Sequence, residues 1–346
     1  MQDEIAAAIA SKLAVILADA NVRVVRPTTS HWGASDRFLK ARSLMARRVP
    51  ALTFEAIALA EQATALDPDF AAAYPVLGEG VRQQAFIGGR RDLLAPAKEA
   101  TANALRLDPH LAEAFAIQAH IALLVDRDAS TAFTAWNRAL TLNPLLSEAR
   151  AFYAGWGLTI ARRNDDAAAA GSQRAVEDDP RNAVCAAIHA TILGIIGRHG
   201  DAIQEAQRAV ELDPASYFAH MVTVYVHHWA GDVTGALAAS ELALSMSGRS
   251  PNNLTAMSAL HAARGDRGKS VAAHQEIMSR AAVQLVSPTF LAISALGAGV
   301  ADEAMEHAVR AVEEHCPNQL WLVRRPGTEA LHDHPRYPEL RERMGF

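Results

Sequence analysis

The sequence is poor in aromatics, in cysteine and in concentrated charge, and each shortage removes a class of protein. Aromatic residues are 6% of the 346, although half the chain is hydrophobic. β-Sandwiches draw on β-branched and aromatic side chains, so an alanine-rich apolar half suits closely packed helices better. The net charge is -5, and no predicted helix carries a basic stripe. Phosphate backbones are held by clustered Lys and Arg, so no nucleic-acid partner is expected. No apolar run reaches the roughly 18–20 residues of a membrane span. The first twenty residues lack a basic leader and place Asp3 and Glu4 at once, unlike a secretory signal. A cytoplasmic protein with no membrane partner is the expectation.

What the chain has instead is a period. Gly197, Gly231, Gly265 and Gly299 stand 34 residues apart. Ala202, Ala236, Ser270 and Ala304 keep the same interval, as do Ala209, Ala243, Ile277 and Ala311. Ala190, Val224, Ser258 and Ala292 make a fourth series in phase. Such self-similarity marks stacked supersecondary units. In a solenoid each unit touches only its neighbours. Cys185 and Cys316, almost four repeats apart, should then lie beyond the ~7 Å reach of a disulfide, and both are read as reduced.

Upstream the punctuation is an acidic or amide residue followed by proline: Asp67-Pro68, Asp108-Pro109, Asn143-Pro144, Asp179-Pro180 and Asp213-Pro214. Proline cannot continue a helix, and Asp or Asn can cap the next one. Alanines stand five and twelve residues before each proline, as at Ala97 and Ala104 before Pro109. Seven apart, they share a helix face where a small side chain admits a neighbouring helix. The repeat between Pro144 and Pro180 is two residues too long, and beyond Pro214 the Asp-Pro terminator degrades to Ser247-Gly248 and then vanishes.

With Tyr74, Leu77 and Gly78 in a first helix and Ala97, Ala104 and Pro109 in a second, the chain resembles the tetratricopeptide-repeat family over nearly its whole length. The resemblance implies an all-α, right-handed superhelix (an α-solenoid) of about eight helix pairs. Residues 1–30 would form an N-terminal helix, with Ile5, Ile9, Leu13 and Ile16 on one face of 2–19, and a linker. Residues 31–315 would form the array, whose first helix is capped by Ser35, and 316–346 a polar C-terminal cap. A narrower resemblance covers 2–9, 38–48 and 330–345, similar to bacterial signalling proteins in which such an array follows a class III adenylate cyclase or winged-helix domain. This chain would begin where those relatives enter the array.

By the first resemblance, the first helix of each pair lines the concave face. In the repeat starting at Tyr217 the groove positions are Phe218, Met221, Val222, Tyr225, His228 and Trp229, a set able to anchor a peptide or flat ligand. Thr191 in the preceding repeat, and Asn252 and Thr255 in the following one, are the polar members of an otherwise small-residue channel with room for an extended segment. The Lys/Asn set of chaperone-tail-binding members is missing. Cys185 and His189 share a helix face but fall at packing positions and lack a third ligand, His220 and His227 also fall at packing positions, and His332-Asp333-His334 is at most a weak chelator, so no metal is expected. Residues 263–270 fit a loose phosphate-binding loop, but that loop needs an entering strand, and here helices are expected on both sides. The resulting expectation is a non-catalytic protein- or peptide-binding scaffold with regulatory character and no cofactor, able to dimerise through its terminal repeats. A small-molecule sensor using the same groove is the alternative, and an enzyme with a grafted site is the third reading.

Overall fold

The computed structural model describes residues 29–88, 94–247 and 249–344. The expected helix at 2–19 lies outside the described residues. Among those described, helix-turn-helix pairs follow one another along the chain. They are α1 (Trp32–Ala46) with α2 (Pro50–Leu66), α3 (Ala73–Gly88) with α4 (Leu94–Leu107), and α5 (Ala112–Leu124) with α6 (Ala129–Leu142). Next come α7 (Ser147–Phe152, continued by a π-helix over Tyr153–Ala161) with α8 (Asp165–Asp178), and α9 (Ala183–Ile195) with α10 (His199–Leu212). The last three are α11 (Tyr217–Trp229) with α12 (Val233–Ser247), α13 (Pro251–Ala263) with α14 (Arg267–Ala281), and α15 (Pro288–Ala298) with α16 (Ala301–Glu313). Short helices α17 (Trp321–Arg324), α18 (Glu329–His332) and α19 (Tyr337–Met344) complete the described chain. The eight pairs form a tetratricopeptide-type α-solenoid.

The small-residue series does what its spacing requires. Ala56, Ala63, Ala97, Ala104, Ala132, Ala139, Ala168, Ala175, Ala202 and Ala209 are all at 0% exposure. The glycine series is a backbone requirement. Gly197, Gly231, Gly265 and Gly299 have φ of +85, +78, +82 and +77°, and a side chain at the first three would meet nothing within 4 Å. Each ends the turn between the two helices of a pair in the left-handed conformation that glycine adopts freely. The segment 263–270 is such a turn, with Asp266 capping α14. In earlier pairs the same turn holds Arg48, Arg127 and Arg163, at φ +47, +56 and +52°. A non-glycine residue there costs roughly 1–2 kcal/mol.

Two local expectations are corrected. Helix α1 starts three residues before Ser35 and is capped by His31, whose Nδ1 accepts from the Ala34 N–H at 3.2 Å. The Asp-Pro and Asn-Pro residues do not cap the next helix. Asp67, Asp108, Asn143 and Asp213 end the preceding one and accept the N–H two residues on, at 2.9–3.1 Å. The intervening proline has no N–H to offer, so the side chain reaches past it and closes an Asx-turn.

The oversized repeat is absorbed in α7. Thr159 Oγ1 donates to the Ala154 carbonyl five residues back at 2.9 Å, as the wider π-helix allows. Inserted residues inside a helix commonly surface as such a bulge.

Contacts also run beyond neighbouring repeats. One apolar cluster joins α5–α9 to α15–α19 and contains both Cys185 and Cys316, which are buried and form no disulfide. The premise that placed the two sulfurs far apart therefore fails. The chain after α16 returns to the middle of the array, and α13 reaches α3. The solenoid closes on itself.

Candidate functional site

Closure is made by polar clamps at large sequence separation. After α16 the backbone turns at His315 (φ +52°) and enters the concave face. Arg127, held in its left-handed turn between α5 and α6, donates to the Val312 carbonyl at 3.0 Å and the Arg343 carbonyl at 2.6 Å. A cation at the C-terminal ends of α16 and α19 complements the partial negative charge of the last carbonyls there. Arg324 donates to the Thr159 carbonyl, at the last turn of the π-helix, and pairs with Asp165. His334 reaches Asp302, and Arg343 pairs with Glu313 at 2.5 Å, so the same segment also covers α16.

What this encloses is an aromatic cavity. Arg48, Arg82, Gln83, Phe152 and Trp156 line it from the first half of the array. Thr191, Tyr217, Phe218, Met221, Val222, Tyr225 and Asn252 come from α9, α11 and α13, and Thr289, Phe290 and Ile293 from α15. Asn318, Trp321 and Arg325 of the returning segment close it. About 90 Å³ is open to the centres of water-sized molecules. At roughly 10–15 Å³ per water that is space for several waters, and less than the roughly 150 Å³ of a cavity that holds benzene.

Six of the nine residues expected from the sequence meet here: Phe218, Met221, Val222, Tyr225, Thr191 and Asn252. Tyr225 donates to Asn252 Oδ1 at 2.7 Å. The other three stand outside. Trp229 lies behind Tyr225, stacked at 5.8 Å and 13°; its indole fills the space beside Gly194, where a Cβ would sit 2.7 Å from the ring. His228 faces a small neighbouring recess with Arg325 and Gly327. Burial, with Arg325 adding to it, pushes its pKa down to about 4. Thr255 is at 0% exposure and donates to the Pro251 carbonyl at 2.9 Å and the Phe290 carbonyl at 3.2 Å. It is a packing residue.

Sequence reasoning missed the arginines and the returning segment. The groove beside Tyr225 is occupied by the protein's own chain, folded as turns and the short helix α17 rather than as an extended segment. Trp321 stands 6.2 Å from Trp156 and 6.4 Å from Tyr225. The guanidinium of Arg325 lies 4.3 Å over Tyr225 and 5.5 Å over Trp321. A tryptophan beside Arg324-Arg325, in a stretch outside the repeat register, was the available signal.

The three cavity arginines differ in their partners. Arg82 forms two 2.7 Å bonds to the Glu79 carboxylate. Arg48 bonds Glu148 at 2.7 Å and Glu79 at 3.3 Å. Burial alone would raise the Glu79 pKa, but Arg82 and Arg48 hold it well below the usual carboxylate range. Both guanidiniums also lie over Phe152, at 5.4 and 5.3 Å. This lattice forms a wall between the cavity and a more open trough on the first half of the concave face. Arg42, Val76, Glu113, Ile117 and His120 line the trough, with about 270 Å³ open to water centres. Arg325 is 8% exposed. Burial lowers its pKa, and the group opposing this is the Tyr225 hydroxyl, not a carboxylate.

The histidines and cysteines are spent on local structure. Cys185 is fully buried and its thiol pushed up to about 12 by burial and Glu148. His189 bonds Ser172 Oγ at 2.8 Å, and His220 bonds the Pro214 carbonyl at 2.9 Å. His227, by contrast, is only half-buried and pairs with Asp232 at 2.7 Å. His332 and His334 diverge, to the Leu322 carbonyl and to Asp302. Among the described residues no three His, Cys, Asp or Glu side chains gather as a metal site, and no helix is long and apolar enough to cross a membrane.

No protein-family model and no curated protein matches the chain. Among solved structures it is similar in fold to the APC/C hetero-tetramer Cut9–Hcn1, at TM-score 0.51 and 12% identity over 80% of this chain and 57% of that one. A tetratricopeptide repeat protein from Parabacteroides merdae gives 0.47 and 15% over 76% and 98%. The type IV pilus biogenesis factor PilW gives 0.47 and 17% over 59% and 91%. At these identities the likeness is one of architecture. Fold and cavity together describe an α-solenoid wrapped around an internal pocket.

Proposed function

We propose that the chain is a non-catalytic regulatory module that binds a small molecule in this aromatic cavity. The occupation of the groove beside Tyr225 by the chain's own Trp321 and Arg325 carries this reading. A peptide bound there would have to displace both. The cavity lining includes no Asp, Glu, His, Cys or Ser, so it offers no nucleophile with an adjacent base, which supports binding over turnover. The regulatory role is supported by the resemblance of the two ends to bacterial signalling proteins. A protein partner is a second reading, favoured by the open trough with Arg42 and Glu113 on its lining.

A thermal-shift screen with small compounds of mixed charge tests the first reading. A ligand at a hundred times its Kd stabilises the native state by about 2.7 kcal/mol. Hits are expected to disappear in Val222→Phe, which fills the cavity from a position only 2% exposed. An empty screen, or hits unchanged by that substitution, would remove the cavity from the function.

A further inference from the structure

Building on the cavity reading, we propose that the ligand is a small planar carboxylate, its anionic end paired with Arg325 and its ring against the aromatic wall. Three arginines and no acidic residue line the cavity. Glu79 and Glu148 neutralise two of them from outside the lining. Arg325 is left with two aromatic faces and a phenol hydroxyl. A buried cation without a counter-charge is costly, and a cation–π contact offsets part of that cost. A carboxylate entering the cavity would supply the rest through charge-assisted hydrogen bonds to the planar guanidinium.

A second polar group points to the same occupant. Thr289 is at 0% exposure, lines the cavity, and its Oγ1 has no hydrogen-bond partner. Buried hydroxyls are normally bonded, and in this proposal a ligand oxygen supplies that bond once the side chains around Thr289 part to admit it. Beside the polar Gln83, Thr191, Asn252 and Asn318, the lining includes Phe152, Trp156, Phe218, Phe290, Ile293 and Trp321, which favour a flat apolar body. The space limits the body to a single ring, seated with some movement of the lining side chains. A nucleotide is too large for it, and a cationic ligand would meet uncompensated positive charge.

Titration calorimetry on the full chain with benzoate and phenylacetate, against benzamide and benzyl alcohol as uncharged isosteres and sulfate as a bare anion, decides the matter. The acids are expected to bind saturably and quench tryptophan fluorescence through Trp156 and Trp321. Their affinity should fall about tenfold to a hundredfold in Arg325→Gln, the loss of one charged hydrogen-bond partner, while the isosteres bind no worse. Arg325→Lys should retain part of the affinity, which guards against a folding defect in the Gln variant. Binding should also weaken as pH drops through the ligand's own carboxyl pKa, about 4. Isosteres binding as tightly as the acids, or acids indifferent to Arg325→Gln, would overturn the carboxylate assignment and leave the cavity reading standing. Sulfate competing as well as benzoate would reduce the site to an anion hole and overturn the planar ligand. Failure of every probe here, together with cavity-dependent hits of other charge in the wider screen, would sink this inference alone; failure in both would sink both.

Discussion

Arg48, Arg82 and Arg325 face one cavity, and what separates them is where their counter-charge comes from. Arg48 and Arg82 share Glu79, whose carboxylate also accepts from Gln83 at 2.9 Å. Removing one partner of such a buried set strands the others. Glu79→Gln should cost about 3 kcal/mol at neutral pH, read from urea midpoints. The pH dependence separates this group from the histidines. His228 and His120, pushed down to about 4 and about 3 by burial, favour the neutral form in the fold. Their contribution is complete above about 6.5 and is lost as pH falls from there through the folded values. Glu79 is depressed as an acid, so its contribution is complete above about 4.5 and is lost below that. His228→Gln should flatten the stability curve between pH 6.5 and 4, and Glu79→Gln only the part below 4.5. Equal flattening by both variants across the whole range would contradict these environments.

At the scale of the helix, two kinds of glycine carry different loads. Gly265 serves a left-handed turn and has open space around it. Gly297, inside α15, presses on α13: a Cβ there would lie 2.8 Å from the Ser258 carbonyl carbon and 2.9 Å from the Ala259 nitrogen. Backbone cannot yield as a side chain can. Gly297→Ala should therefore cost about 3 kcal/mol, the upper part of the overpacking range, against about 1–2 kcal/mol for Gly265→Ala. Equal thermal shifts for the two would refute the distinction. Helices and turns of this sort were legible in the sequence because a repeat stamps the same small residue at the same contact each time. The α7 insertion was legible as an irregularity of length, but not as a π-helix, since a length defect can equally be placed in a loop. The Asx-turns were assigned to the wrong helix because a residue preceding Pro can serve either neighbour. In the candidate site, the α11 face was readable from register alone. Arg48, Arg82, Thr289 and Arg325 were not, because what brings them together is the rotation accumulated over successive pairs.

The whole molecule departs from a linear array. Arg127 and Arg324 tie the middle repeats to the C-terminal segment across 216 and 159 residues of sequence. A linear solenoid unfolds as a sum of nearest-neighbour terms and can fray from either end. Here the C-terminal segment braces the middle repeats, so wild-type unfolding should be a single transition with coincident fluorescence and circular-dichroism curves. Arg127→Ala combined with Arg324→Ala should separate those curves, with tryptophan fluorescence changing first. Coincident curves in the double variant would show that the clamps are dispensable. Closure also sets a limit on how such a chain can evolve. An open spiral lengthens by duplicating a 34-residue unit and leaves every existing contact intact. A ring cannot, because one extra unit would move Arg127 past its carbonyls and Trp321 away from Trp156. A unit inserted between α6 and α16 should therefore abolish the clamps, whereas point substitutions within the cavity leave them in place.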